Sequence, residues 1–226
     1  FGRYFASAMY AVAGSGIVMS GLDLLFPALG HAPEPGASAE EIANQLSRVR
    51  YFALFLLSLS ILVIATTRQG WLTIRQKQDR AMLRKPVHVA LNLLLVTIGV
   101  VLIAVALLQR ELLFLIFGIL EVVVGGTQLH YSFKAKLRPR EWWIEHLGGF
   151  IGSGIAAYTA FFVFGGSRVL SALLPGAYND LAILFWVAPG VIGGIAIGLL
   201  SRSYTRRFAP AAPSPAATVA GTQNMI

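Results

Sequence analysis

Six stretches of this chain are long, apolar and almost free of charge, and that pattern constrains its fold more than any other feature. A membrane helix needs about 20 mostly apolar residues to cross roughly 30 Å of hydrocarbon. The first stretch covers about residues 4–29 and carries a single charge, Asp23. The second, 51–67, has 17 uncharged residues, and the third, 88–109, has 22. The fourth, 112–131, is interrupted only by Glu121, while the fifth covers 146–167 and the sixth 181–201. Charged residues make up 12% of the 226, where a soluble domain carries about 25%. The expectation is an all-α, polytopic integral membrane bundle of six transmembrane helices within residues 1–208. The Ala- and Pro-rich segment 209–226 then reads as a flexible tail.

The lysines and arginines orient the bundle. Arg3, a cluster from Arg68 to Lys85, a cluster from Lys134 to Arg140, and Arg202, Arg206 and Arg207 place 14 of the 18 basic residues on one side. Arg48, Arg50, Arg110 and Arg168 are the remaining four. By the positive-inside rule the larger group is cytoplasmic, which puts both termini inside. The outer connections are then about 30–50, 110–111 and 168–180. Ser38 followed by Glu41 resembles a capping box, but Asn44 and Gln45 interrupt the apolar run behind it. Segment 31–45 is therefore expected as an outer loop holding at most a short surface helix. The basic clusters suit retention at the inner face and attraction to anionic lipid headgroups, and nucleic acid is not an expected partner.

In lipid, helices associate by close approach and polar contact. Gly190, Gly194 and Gly198 form a ridge spaced by four on the sixth span, and Gly149 and Ser153 lie on a small-residue face of the fifth. These residues are expected to pack spans within the bundle, the fifth against the sixth, or to meet another chain. Pro189 removes a backbone donor inside the sixth span. Trp71, Trp142, Trp143 and Trp186 suit interfacial belts or core packing.

Candidate chemistry rests on few residues. Glu121 sits nine residues into the fourth span, where a carboxyl is either neutral or turned toward a partner. Gly118, Gly125 and Gln128 share its helical face. Asp23 lies near the outer end of the first span. His88, His130 and His146 all fall near the cytoplasmic interface, with Asn92 on the side of His88, whereas His31 lies outside. A facing pair of imidazoles ligates a b-type haem and three hold a divalent metal, so His88 and His146, with His130 as alternative, are the speculative cofactor ligands. The chain has no cysteine, which removes disulfides and thiolate chemistry. No zinc-protease helix, phosphate loop, dinucleotide fingerprint or hydrolase elbow is present, and Ser153 between Gly152 and Gly154 reads as packing.

Residues 142–164, WWIEHLGGFIGSGIAAYTAFFVF, together with 186–194, WVAPGVIGG, resemble the closing spans of a family of uncharacterised bacterial multipass membrane proteins. His146, Gly149, Ser153, Thr159, Ala160 and Phe161 carry the likeness, and Phe150 stands where that pattern has methionine. The resemblance implies the same fold and a bacterial cytoplasmic (inner) membrane. The expected function is a structural or accessory subunit without catalytic activity, surrounded by lipid and partner proteins. Two alternatives are a proton-coupled carrier using Glu121 and a haem or metal redox protein using the three histidines.

Overall fold

The computed structural model describes residues 2–32, 35–160, 163 and 177–208, the backbone alone for 177–182. All regular elements among them are helices: α1 (Gly2–Leu25), α2 (Pro27–Gly30), α3 (Ala39–Gln76), α4 (Pro86–Gln109), α5 (Leu112–Phe133), α6 (Glu141–Ala160) and α7 (Ala177–Phe208). Five of them, α1, α3, α4, α5 and the 183–208 part of α7, are long and apolar enough to cross a membrane. Their outward faces carry large apolar side chains such as Val18, Leu93, Leu107, Ile119 and Ile192, a surface that lipid solvates and water does not. The expected fifth span begins within α6, where Glu141, Glu145 and His146 dilute the apolar run. Its second part, from residue 161 on, lies outside the described residues except for Val163, and so does the tail 209–226.

The helix ends follow local chemistry, with two departures from the sequence expectation. Residue Phe26 leaves the helical conformation ahead of Pro27, so α1 stops at Leu25 and residues 27–30 form a separate turn. The larger departure is α3. Ser38 and Glu41 form a complete capping box: the Glu41 N–H donates to Ser38 Oγ and the Ser38 N–H donates to Glu41 Oε2 at 2.8 Å. The helix started there does not end at Asn44 and Gln45 but continues for 38 residues, about 57 Å. Asn44, Ser47 and Arg48 are exposed, while Ile42, Leu46 and Val49 recur at spacings of four and three on the less exposed side. Polar residues on a helix face that meets water do not break the helix. The expected outer loop is thus largely helical, and the second span is the middle of one long rod.

That rod is the axis of the bundle, with α1, α4, α5 and α6 all packed against it and α7 packed on α6. Glycines set the closest crossings. A Cβ on Gly99 of α4 would lie 2.9 Å from the Gly118 carbonyl oxygen of α5, and one on Gly118 would lie 2.8 Å from that of Gly99. Likewise a Cβ on Gly149 of α6 would sit 2.7 Å from the Gly70 nitrogen of α3. Aromatic residues fill the wider end. Trp186 of α7 is buried against Phe55 of α3 and Phe117 of α5, with ring centroids 5.2 and 6.3 Å away, so it is a core residue and no part of an interfacial belt.

At the other end of the bundle the loop after α3 folds back under α5. Arg80 donates to the carbonyls of Tyr131 (3.2 Å), Lys134 and Ala135 (3.5 Å), and Arg84 Nε donates to Ser132 O at 2.9 Å. Two members of the basic cluster thereby satisfy the last, unpaired carbonyls of α5 and oppose its negative pole. In the next connection Glu141 accepts from Lys134 Nζ and from the Arg138 N–H, each at 2.6 Å. Burial pushes the Glu141 carboxyl up, but these two bonds and the charges of Lys134 and Arg138 outweigh it and hold the group below its ordinary value.

Two outcomes follow from this packing. Gly118→Ala forces a methyl into the α4–α5 contact and is expected to cost about 1–3 kcal/mol in detergent unfolding, whereas Gly194→Ala, with nothing within 4 Å among the described residues, stays within about 0.5 kcal/mol. Because the folded Glu141 value is depressed, its contribution is present above the ordinary value of 4.5 and is lost as pH falls through the lower folded one. Acid unfolding of Glu141→Gln should lack that component, and an unchanged acid limb would contradict the assignment.

Candidate functional site

Two polar groups interrupt the apolar interior, one at each of two levels. The deeper is Glu121. Gly118, Glu121, Gly125 and Gln128 occupy the buried face of α5, and Glu121 is fully enclosed. Ser58 lies against it from α3, but its hydroxyl donates to the Phe55 carbonyl at 2.8 Å. Among the described residues neither carboxyl oxygen of Glu121 has a hydrogen-bond partner. The glycines explain how such a side chain reaches this place: with Gly99 opposite, α4 and α5 come close enough to seal lipid away from it.

The second level lies 11 residues further along α3, about 16 Å away, at the end capped by Arg80 and Arg84. Here Gln69 of α3 joins three helices. Its Oε1 is 3.0 Å from His88 Nε2 of α4, and its Nε2 donates to Glu145 Oε2 of α6 at 3.2 Å. Asn92, one turn beyond His88, donates from Nδ2 to the His88 carbonyl at 2.9 Å and lies 3.1 Å from His88 Nε2. His88, Asn92 and Gln69 are buried and Glu145 is half-buried. His88 Nδ1 and Asn92 Oδ1 have no partner. Between the two levels stand Ile61, Leu62 and Ala65 of α3 with Leu95 and Ile98 of α4, an apolar layer.

The three histidines do not meet. His146 Nδ1 donates to the Gly70 carbonyl at 2.8 Å, while His88 bonds the neighbouring Gln69, so the two rings have different partners on α3. His130 is exposed, half a turn from buried Glu121 on α5. Among the described residues no group of three or more His, Asp or Glu side chains is gathered for a metal. Asp23 has a neighbour the sequence reading passed over: His31 Nε2 lies 3.7 Å from its Oδ1 across the turn of α2, and both side chains are partly exposed.

The small-residue faces divide. Gly149 and Ser153 are buried, the former on Gly70 of α3, the latter donating to the Phe150 carbonyl at 3.0 Å. Gly190, Gly194 and Gly198 have nothing within 4 Å of a Cβ among the described residues. It is Gly193, turned 100° from that ridge at Gly194, that seats α7 on Ile155 of α6. A groove of about 590 Å³ runs beside this contact, lined by Ile151, Ile155, Tyr158, Leu184, Pro189 and Ile192. Among the described residues its walls are almost wholly apolar.

Gln69, Gly70 and Glu145 were missed by sequence reasoning, which ended the second span at Thr67. Their signal was the run Thr66, Gln69, Gly70 and Thr73, a small and polar helical face continuing past Arg68. Comparison with protein families, curated proteins and solved structures yields no match to this chain. Its class rests on the helices themselves: an all-α protein with five helices suited to crossing a membrane.

Gln69→Leu strands His88 and Glu145 together. Its expected cost is about 2–6 kcal/mol, about 1–3 for each group left without its bond, against a near-neutral Thr127→Val on the exposed face of α5. Equal unfolding midpoints for the two variants would remove Gln69 from the centre of the bundle.

Proposed function

We propose that this chain is a six-span integral protein of a bacterial cytoplasmic membrane, with both termini inside, acting as a structural or accessory subunit of a membrane complex. The sixth crossing is the apolar stretch 146–167, which begins within α6, and the orientation is argued from the 14 basic residues on one side. The observation that carries the accessory role is α7. It is the least buried of the candidate spans, and its ridge of Gly190, Gly194 and Gly198, flanked by exposed Val191, Ile195 and Leu199, is uncovered among the described residues. Such a ridge suits a transmembrane helix of a partner protein, whose backbone approaches where no side chain intervenes.

A second reading, a proton-coupled carrier, has its own support: Glu121 is enclosed between helices with neither oxygen bonded. The haem and metal alternative draws no such support: no group of three or more His, Asp or Glu side chains is gathered among the described residues, and His88 and His146 bond different residues of α3.

Gentle purification from native membranes is expected to yield the chain with a stoichiometric partner that Gly194→Leu releases while the bundle stays folded. A chain that is alone in wild-type preparations, and that drives proton-dependent flux in proteoliposomes abolished by Glu121→Gln, would replace the accessory reading with the carrier.

A further inference from the structure

His88 Nε2 faces two amide groups of opposite character. Gln69 Oε1, which only accepts, is 3.0 Å away, and Asn92 Nδ2, which only donates, is 3.1 Å away. A ring nitrogen carries either a hydrogen or a lone pair, so it bonds one of them at a time. With the hydrogen on Nε2, Gln69 is satisfied at both ends: its oxygen accepts from His88 and its nitrogen donates to the Glu145 carboxylate at 3.2 Å. With the hydrogen on Nδ1, Nε2 accepts from an amide instead, and the Gln69 oxygen loses its donor. A half-turn of the Gln69 amide, which keeps its shape, restores both Gln69 bonds on one condition, with the His88 Nδ1–H left without a partner among the described residues. The oxygen then faces Glu145, and Glu145 must hold a proton to donate.

We propose that Glu145, Gln69 and His88 form a proton-binding site in which uptake of one proton by Glu145 turns the Gln69 amide and moves the imidazole hydrogen of His88 from Nε2 to Nδ1. The proton adds to a Glu145 carboxylate oxygen. His88 releases the Nε2 proton to bulk water and takes one from bulk water at Nδ1, so it stays neutral and contributes nothing to the net count. Glu145, half-buried at the end of the bundle, is the point of entry. The charged and titratable groups around it are Glu141 on its own helix, Lys134 from the α5–α6 connection and Tyr131 of α5. His88 is faced by Arg68 of α3. Because Gln69 belongs to α3, His88 to α4 and Glu145 to α6, one proton changes the bonding between three helices together. Glu121 lies beyond the apolar layer and takes no part.

The test uses the full chain in lipid nanodiscs, with protons as the ligand. Infrared difference spectra follow the protonated carboxyl of Glu145, assigned by its absence in Glu145→Gln, and nitrogen-15 NMR of labelled histidine reports the His88 tautomer. Wild-type protein is expected to convert His88 from the Nε2–H to the Nδ1–H form over the same pH interval in which Glu145 takes up its proton. In Gln69→Leu the tautomer change is lost while Glu145 still titrates, and in Glu145→Gln the tautomer does not depend on pH. A wild-type His88 that keeps Nε2–H throughout, or becomes an imidazolium, overturns the proposal, as does a tautomer change that survives in Gln69→Leu. The wild-type comparison decides the matter even if Gln69→Leu does not fold.

Discussion

Backbone has to approach backbone along α3 for anything else in this bundle to hold. Where Gly70 meets Gly149, and where Gly99 meets Gly118 on the neighbouring pair, two helices come within contact distance of each other's peptide groups. In water such crossings would be one contribution beside the large gain from burying leucine. Between lipid tails that gain is absent, because a leucine on the outside of the bundle is already in an apolar solvent. Close contact and polar bonds are left to decide which helix sits where. The long axis of α3 receives α1, α4, α5 and α6, and α7 arrives through α6 and through Trp186 on Phe55.

The same close approach makes a polar interior affordable. Glu121 is enclosed because glycines opposite and beside it remove the gap through which lipid would reach it. Gln69, His88, Asn92 and Glu145 sit where α3, α4 and α6 converge, and their bonds run between helices. On α3 and α4 an apolar layer of Ile61, Leu62, Ala65, Leu95 and Ile98 stands between the two levels. The first level offers a carboxyl without partners, and the second offers a bonded chain with alternative arrangements. They are different devices, and a single role for all the buried polar groups does not fit their geometry.

How far the sequence could be read depended on whether a property was local. Spans of α4 and α5 and the two-residue turn between them are legible because uncharged length is counted directly, and Arg110 and Glu111 mark the break. The common face of Gly118, Glu121, Gly125 and Gln128 follows from 100° per residue alone. The continuity of α3 was not legible: Asn44 and Gln45 resemble a loop until it is known that Asn44 lies on an exposed face of the helix and that Ile42, Leu46 and Val49 carry its other face onward. The Gly190 ridge shows a related limit. A glycine series states that close approach is allowed on that face, but Gly193, one residue away, is the one that Ile155 occupies. Which residues of α3 His88 and His146 bond depends on where each neighbouring helix lies, and a count of spans does not give it.

Length, charge placement and helical period are properties of consecutive residues, and they determine that this chain is helical, apolar on its outside and suited to a membrane. Which faces meet is a property of residues far apart in the chain. Gln69 contacts Glu145 across 76 positions and His88 across 19, and no pattern within either helix announces the partner on the other. Tertiary structure decided that pairing, because in a bilayer the free energy that selects one helix contact over another lies in shape and hydrogen bonding between the helices, and neither is written along a single one.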